Sequence, residues 1–387
     1  MGRTEEPADQ MPSDPIVAQI LADCAEVSSE GAPESNESIT RRRFLKGAIG
    51  AGVAVGTWSG IRTESVAQLN QPSVDGETQE QLVPVVEATS DKVWRENVLD
   101  EQIVGEMIDR SIMKLAGRDS AKEAWKDFVL PDDIVGIKIN PLAGKQFSTR
   151  RIVVDKIIEG LYGAGVLNNQ IVIWDRFEAH LVNAGYEINR TDQGVRVYAS
   201  DSPDVGYDDE VFYETKKDSI VRRENGSKKS RYSKIVTRDI DVIVNVPVMK
   251  HHAMTGVSGC LKNLAFGSVD NTRRFHPSPL HGDPAIAEIF DHEILRDKVV
   301  LNIVDGLLAS FDGGPVYDPK GEWKYGGILM SRDPVALDQV LLQSVGDKRE
   351  EMELPSITRL SNHIRTAWRA GIGTNDLDEM EFHQIKV

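Results

Sequence analysis

Cysteine is nearly absent. The 387-residue chain has two, Cys24 and Cys260, too few for a Cys-x-x-Cys zinc site or a four-cysteine iron–sulfur cluster. Positive charge is also short: 45 lysines and arginines stand against 61 acids, a net charge of −16, which argues against a general nucleic-acid binder. Long hydrophobic runs are missing. Gly47–Gly60, "GAIGAGVAVGTWSG", is uncharged but only 14 residues long and rich in glycine, too short to span a bilayer stably. No internal repeat is evident. What is present is ordinary for a globular protein: 40% hydrophobic and 27% charged residues, enough apolar material for a sizeable core in one large domain or two fused ones.

The N-terminal region has its own organisation. Residues 1–39 are acidic and show no apolar periodicity, so they read as a disordered extension. Thr40–Lys46 then reads "TRRRFLK", followed by the apolar stretch and by Ser65-Val66-Ala67. Basic, apolar and small-residue regions in that order resemble a twin-arginine (Tat) export signal, with Arg41 and Arg42 as the pair and cleavage after Ala67. The plain alternative is a basic cap on an ordinary helix. The resemblance implies residues 40–67 as signal peptide, the Tat translocase as partner during export, a periplasmic or other extracytoplasmic destination, and one cysteine, Cys260, in the mature chain. The unusual feature is the length of what precedes the arginines.

Beyond the leader, apolar runs alternate with helical periodicities. Val104, Ile108, Ile112 and Leu115 recur at helical spacing before Gly117, a stop signal. Ser120 and Glu123 form a capping-box pattern. Ile134–Ile139, Ile171–Trp174, Val195–Ala199, Ile240–Val246, Val299–Val304 and Gly327–Met330 read as strands, and "MEFHQIKV" as a closing one. Val153, Ile157 and Leu161 mark a helix, and residues 356–370 another. Asp283-Pro284 and Asp333-Pro334 each read as N-cap plus first helical residue, opening helices to about Leu295 and Val345. The expected fold over residues 83–387 is α/β: a mainly parallel, doubly wound sheet flanked by helices. A basic, β-hairpin-like insertion at 208–239 interrupts the pattern. Between Glu214 and Arg238 nine lysines and arginines face three acids, and "ENGS" looks like a turn. This segment is either a solvated surface or a lip for an anionic ligand or an envelope protein partner, through residues 214–238.

In open α/β sheets ligands lie beyond the carboxyl ends of the strands. The polar residues there are Lys138 and Asn140, Asp175 and Arg176, the stretch Pro247–Asn263 ("PVMKHHAMTGVSGCLKN"), Asp305 with Gly306 and Asp312, and Ser331-Arg332-Asp333. Asp333 also reads as a plain helix cap and Asp305-Gly306 as a turn. Lys138 sits in an apolar strand, where a lysine needs a buried partner or a ligand; Asp175 is a candidate partner.

The blocks "DIVGIKINPL", "DVIVNVPVMKHH", "TGVSGCLKNLAFG", "IVDGL" and "SRDPVALD" resemble, in order, those of the domain of unknown function 362 family over roughly Val83–Val387. The residues matching that pattern are Lys138, Asn140, Pro247, Lys250, His252, Thr255, Lys262, Asn263, Gly267, Asp333 and Asp338. Val248-Met249 and Ser258 depart from it. Some relatives carry ferredoxin-like cysteine clusters, for which this chain lacks the residues. The resemblance brings no reaction with it.

Three readings of Pro247–Asn263 remain open. In the first, Lys138, Lys250 and Lys262 supply charge to a small carboxylate or phosphate. Asn140, Thr255, Ser258 and Asn263 supply neutral donors, Asp305 and Asp333 stand at the rim, Gly256 and Gly259 let backbone N–H groups approach, and a helix starting near Leu261 adds its dipole. In the second, a metal ion is held by members of the set His251, His252, His276 and His281 and activates water or polarises a substrate; adjacent histidines on extended chain point to opposite sides, so one of the pair at most joins a given centre. In the third, the polar groups satisfy a buried loop. Cys260 is a further, weaker nucleophile candidate. The function classes are accordingly an exported enzyme on a small anion, with His252 as general acid/base titrating near the working pH and Lys262 as electrostatic partner, a metal-dependent redox or hydrolytic enzyme without iron–sulfur, or a non-catalytic envelope binding protein.

Overall fold

The computed structural model describes residues 82–215, 227–276 and 280–387. The extension, the twin-arginine segment and the centre of the basic insertion lie outside them.

The chain opens with β1 (Val83–Thr89), a two-strand ribbon of β2 (Trp94–Arg95) and β3 (Val98–Leu99), then α1 (Glu101–Ala116) and α2 (Ala121–Trp125). Both helices start where side-chain caps allow. Asp100 accepts from the backbone N–H groups of Gln102 and Ile103, and Ser120 from that of Glu123. Gly117 ends α1 at φ 64°, a conformation that suits glycine. There follow β4 (Val135–Ile139), α3 (Arg151–Ala164), β5 (Ile171–Asp175), α4 (Glu178–Asn183), β6 (Arg196–Ala199), the hairpin arms β7 (Tyr207–Glu214) and β8 (Lys229–Ser233), β9 (Val242–Val246), β10 (Val248–His252), β11 (Gly256–Val257) and α5 (Cys260–Ser268). The chain closes with α6 (Ala285–Phe290), α7 (Glu293–Arg296), β12 (Val299–Ser310), β13 (Glu322–Trp323), β14 (Gly327–Ser331), α8 (Pro334–Glu351), α9 (Asn362–Arg369) and β15 (Met380–Lys386).

The main sheet follows the order β15-β1-β14-β12-β9-β4-β5-β6. Along this path only β14 runs against its neighbours; every other pairing is parallel. Both faces are covered. On one, Ile137, Ile139, Val244, Val246 and Leu301 pack with residues of α1 and α3 such as Met107, Ile108, Val153 and Ile157. On the other, Val172, Trp174 and Ile243 pack with Leu261 and Leu264 of α5, Ile286 of α6 and Leu337 of α8. Strands buried on both faces must be continuous apolar runs, as these are. The fold is thus the α/β sheet that the alternation of elements implies. Among the described residues no helix is long and apolar enough to cross a membrane.

One expectation needs correction. Asp283 caps no helix: α6 begins at Ala285 with Pro284 in the cap position, Asp283 Oδ1 has no hydrogen-bond partner, and the segment breaks into α6 and α7 instead of running to Leu295. In the insertion, β7 and β8 pair antiparallel from Tyr207↔Ser233 to Glu214↔Lys229, but its positive charge is partly compensated. Arg231 pairs with Asp209 and Asp270, and Arg238 with Asp208. Residues 216–226 of the insertion lie outside the described residues.

Candidate functional site

Pro247 cannot donate to a ladder, and it divides one long strand into β9 and β10. Both halves run parallel to β12. β9 pairs with its start (Asn245↔Asn302) and β10 with its end (Val248↔Asp305, Lys250↔Ser310), while the Asp305 N–H donates to Pro247 O at 2.9 Å. β12 is twelve residues long, whereas β4 and β5 have five each. The second half of β12 therefore lifts β10 beyond the carboxyl ends of the other strands. Lys250 and His252 share one face of β10 and His251 has the other: His251 Nδ1 lies 3.8 Å from Asp312 Oδ1, which is itself bound at 2.6 Å by Arg349.

Two buried lysines stand at this rim in different company. Lys138 Nζ donates to Asp175 Oδ1 at 2.6 Å, Ile139 O at 2.8 Å and Asn263 Oδ1 at 3.3 Å. Burial draws its pKa below the usual lysine range while Asp175 pulls it back. Burial would raise Asp175, but Lys138 and His180 hold it below the usual carboxylate range. This is an ion pair with three acceptors for three N–H groups. Lys250 Nζ, completely buried, donates to Asn140 Oδ1 at 2.7 Å and Pro315 O at 3.2 Å, both uncharged. Burial pushes its pKa down to about 7, opposed by the charge of Asp175 and helped by that of Lys138.

A chain of side-chain amides links the two lysines and continues across the sheet. Asn140 Nδ2 donates to Asn263 Oδ1 at 3.0 Å, Asn263 Nδ2 to Asn245 Oδ1 at 2.8 Å, Asn245 Nδ2 to Asn302 Oδ1 at 2.8 Å, and Asn302 Nδ2 to Arg332 O at 3.2 Å. Every bond runs in the same direction. The Lys138 ammonium can only donate and a backbone carbonyl only accept, so these two ends fix the orientation of the amides between them.

The N-terminus of α5 is not open to a ligand. Asp338, reaching over from α8, accepts from the N–H of Cys260 at 2.5 Å and of Leu261 at 3.0 Å, so the acceptor at this helix end belongs to the protein. Burial raises Asp338 to about 7 against those two bonds. The glycines follow from the same packing. A Cβ on Gly259 would collide with the Asp338 carboxylate, one on Gly256 with Ser361 Oγ, and one on Gly267 with Cε and Nζ of Lys138. Their small size serves contacts within the fold, not the close approach of a ligand.

Lys262, on the first turn of α5, is surrounded by imidazoles. His252 Nδ1 accepts from the N–H groups of Met254 at 3.1 Å and Thr255 at 3.3 Å, so the neutral ring carries its proton on Nε2. The His276 ring lies 6.0 Å from that of His252, with Nδ1 against Thr272 O at 3.2 Å. Burial first and Lys262 second drive His252 well below the usual histidine range and take His276 and His363 to about 3. His252 is thus held neutral and does not titrate near pH 7 as a general acid/base would. Burial also lowers His251, to about 4, and His281. Among the described residues no group of three His, Cys, Asp or Glu is placed to hold a metal ion. The four-histidine set is divided because His251 and His252 face opposite ways.

Other expected site residues are engaged by the fold. Asp305 accepts from the N–H of Arg150 at 2.8 Å and of Leu307 at 3.2 Å. Asp333 caps α8 through Val335 and Ala336, with Oδ2 taken by Thr374 N–H at 2.8 Å. Thr255 Oγ1 donates to Val257 O at 3.1 Å, and Ser258 is buried with its N–H on Lys250 O at 3.0 Å. Cys260 is buried, which raises its thiol well above the usual range. Three residues escaped the sequence reading: Asn245, Asn302 and His363. The asparagines carried a signal, since a lone amide inside an apolar strand must find a buried partner. His363, completely buried on α9 with neither ring nitrogen hydrogen-bonded, carried none.

Among solved structures, a crystal structure of a Thermotoga maritima protein is similar at 11% identity with a TM-score of 0.38, covering 67% of this chain and 61% of that one. The chain therefore spans less than two thirds of that protein's length. No curated protein matches the chain. Residues 135–343, from β4 into α8, match the family described as "Domain of unknown function (DUF362)". That match takes in Lys138, Asn140, Lys250, His252, Lys262, Asn263 and Asp338, and with more than half of the sequence inside it, the chain belongs to the DUF362 family.

Proposed function

We propose that this protein binds a small anion, a carboxylate or a phosphate, at the carboxyl rim of the sheet between β10 and α5. One observation carries the reading: the charged groups acting on three buried histidines at this rim are basic. The strongest charge influences on His252, His276 and His363 come from Lys262, Lys250, Arg176, Arg273 and neighbouring imidazoles, and none comes from an acid. A chain of net charge −16 has gathered Lys250, Lys262 and three buried imidazoles at one place. An anion there offsets the cost of burying them. Lys262 supplies the charge, and the Nε2–H of His252 and the ring N–H of His363 supply neutral donors. Anion binding would be read by calorimetric titration and by the shift in Tm with phosphate, sulfate, oxalate, citrate and pyruvate. At least one should bind wild type, and bind Lys262→Met at least ten-fold more weakly. If none binds, or Lys262→Met binds equally well, the reading is wrong.

The same proposal places this function outside the cytoplasm, supported by Thr40–Lys46 and the regions that follow it. Residues 1–80 fused to a folded reporter should direct its export, and Arg41→Lys with Arg42→Lys should keep it inside. Export of the double variant at the wild-type level would refute this.

A further inference from the structure

Arg110 and Lys114 stand four residues apart and exposed on α1, and Arg118 lies just beyond the end of that helix. Like charges at this spacing repel. The helix dipole favours a base at Lys114, in the last turn, but does not explain the pair. Arg118 is bound by Asp127 at 2.7 Å, and Arg110 by Glu106 at 3.2 Å and Lys386 O at 3.0 Å. Among the described residues Lys114 has no hydrogen bond or ion pair. The three bases, with Met113, Gly117 and Ile385, line an open recess of about 350 Å³ between α1 and β15. β15 is the last strand on this side of the sheet. The recess thus combines apolar surface, from Met113 and Ile385, with positive charge in a chain of net charge −16.

The chain carries a segment of matching chemistry outside the described residues. Residues 1–39 hold nine acids and one base, Arg3. Within them Asp14–Glu26, "DPIVAQILADCAE", places Ile16, Val17, Ile20 and Leu21 between Asp14 on one side and Asp23 and Glu26 on the other. The fold is entered at Val83, and β1 pairs with β15 along its whole length, up to Thr89↔Lys386. The recess is therefore about one strand length, roughly 20 Å, from the entry point. The more than fifty residues between Glu26 and Val83 span that distance easily.

We infer that residues 14–26 dock in this recess of their own chain while the leader is still attached. The apolar side chains lie against Met113 and Ile385, and the flanking carboxylates meet Lys114 and Arg110. α1 comes from the start of the folded region and β15 from its end, so the recess exists only once the two have met. Docking then reports a completed fold to the Thr40–Lys46 segment that follows, and cleavage after Ala67 ends it. That timing rests on the export reading; the contact itself depends on neither the export nor the anion reading.

The test uses the full chain with its leader intact, treated at pH 6.5 with a water-soluble carbodiimide. This reagent joins a carboxylate to a lysine amine without a spacer, so it links groups already in contact. Peptide mass mapping of the monomeric product locates the links. Lys114 should be joined to Asp14, Asp23 or Glu26 at least ten-fold more than any other lysine of residues 82–387 is joined to residues 1–39. Sodium chloride at 1 M, where charges are screened beyond about 3 Å, should cut that link at least five-fold. Arg110→Gln should do the same, because it weakens docking but leaves the Lys114 amine in place. If that variant fails to fold, the wild-type map and its salt dependence still decide. Links spread evenly over exposed lysines, or a missing Lys114 link, overturn the inference. A Lys114 link found only in covalent dimers overturns it too, since the occupant is then the extension of a second copy.

Discussion

Replacing Lys250 with methionine should change stability by an amount that depends on pH, with a fixed sign. The folded-state pKa is about 7 against 10.5 for an ordinary lysine. Between those values the unfolded chain holds a proton that the folded chain lacks, so this residue makes stability rise with pH. Below about pH 7 its cost is fully present, and above about 10.5 it is gone. At 1.36 kcal/mol per pH unit, the interval corresponds to roughly 5 kcal/mol, of which roughly 3 kcal/mol is recovered between pH 7 and 10. Methionine removes the titration but leaves Asn140 Oδ1 and Pro315 O without their donor, at about 1–3 kcal/mol each. The two proteins should therefore differ little near pH 7, while wild type gains roughly 3 kcal/mol on the variant by pH 10. Urea unfolding of both at pH 7, 8, 9 and 10 measures the difference, and groups titrating in both proteins cancel. A difference constant to within about 0.5 kcal/mol, or one moving the other way, would mean that Lys250 is an ammonium ion at neutral pH and would refute the reasoning.

The glycines provide a paired test. Gly267→Ala, which drives a methyl group into Lys138, should lose about 1–3 kcal/mol, whereas Gly346→Ala, with nothing within 4 Å of the new carbon in α8, should gain about 0.5–1 kcal/mol by urea unfolding. Asp338 is raised to about 7 from 3.8, so between those values the folded chain holds the extra proton and stability falls as pH rises; subtracting Asp338→Asn should reveal that decline from pH 4 to 7, and a flat difference would argue against it. Cys260 should resist iodoacetamide in the native protein and react after unfolding, as peptide mapping would show; prompt native labelling would contradict its burial.

Much of the fold was readable because its strands are short apolar runs separated by helices with ordinary stop and start signals. Asp100 and Gly117 bound α1 through contacts with their immediate neighbours. Lys138 pointed to Asp175 because an amine in an apolar strand must find a partner, and the end of the next strand is the nearest place for one. Asp283-Pro284 had the same local signal as Asp333-Pro334 and behaved differently, since a dipeptide does not determine whether its side chain meets a helix end. The parts of the site that were not legible depend on contacts between distant segments. Asp338 is 78 positions from Cys260, and nothing near Gly259 indicates that an aspartate from another helix blocks α5. His252 read as a titrating group because composition does not report burial, and burial with Lys262 nearby dominates its protonation.

The line of amides through Asn140, Asn263, Asn245 and Asn302 has a consequence for strand alignment. β4 reads VGIKI, β9 VIVNV and the start of β12 VVLNIV, and hydrocarbon so uniform distinguishes one alignment of neighbouring strands from another only weakly. The polar residue in each strand pairs across the sheet, Lys138↔Asn245 and Asn245↔Asn302. Sliding any of the three strands by one residue would turn its polar side chain to the opposite face, and sliding by two would separate Lys138 from Asn245 or Asn245 from Asn302. Those few polar atoms therefore act as a key for the central sheet, selecting one alignment among several that greasy contacts alone would accept.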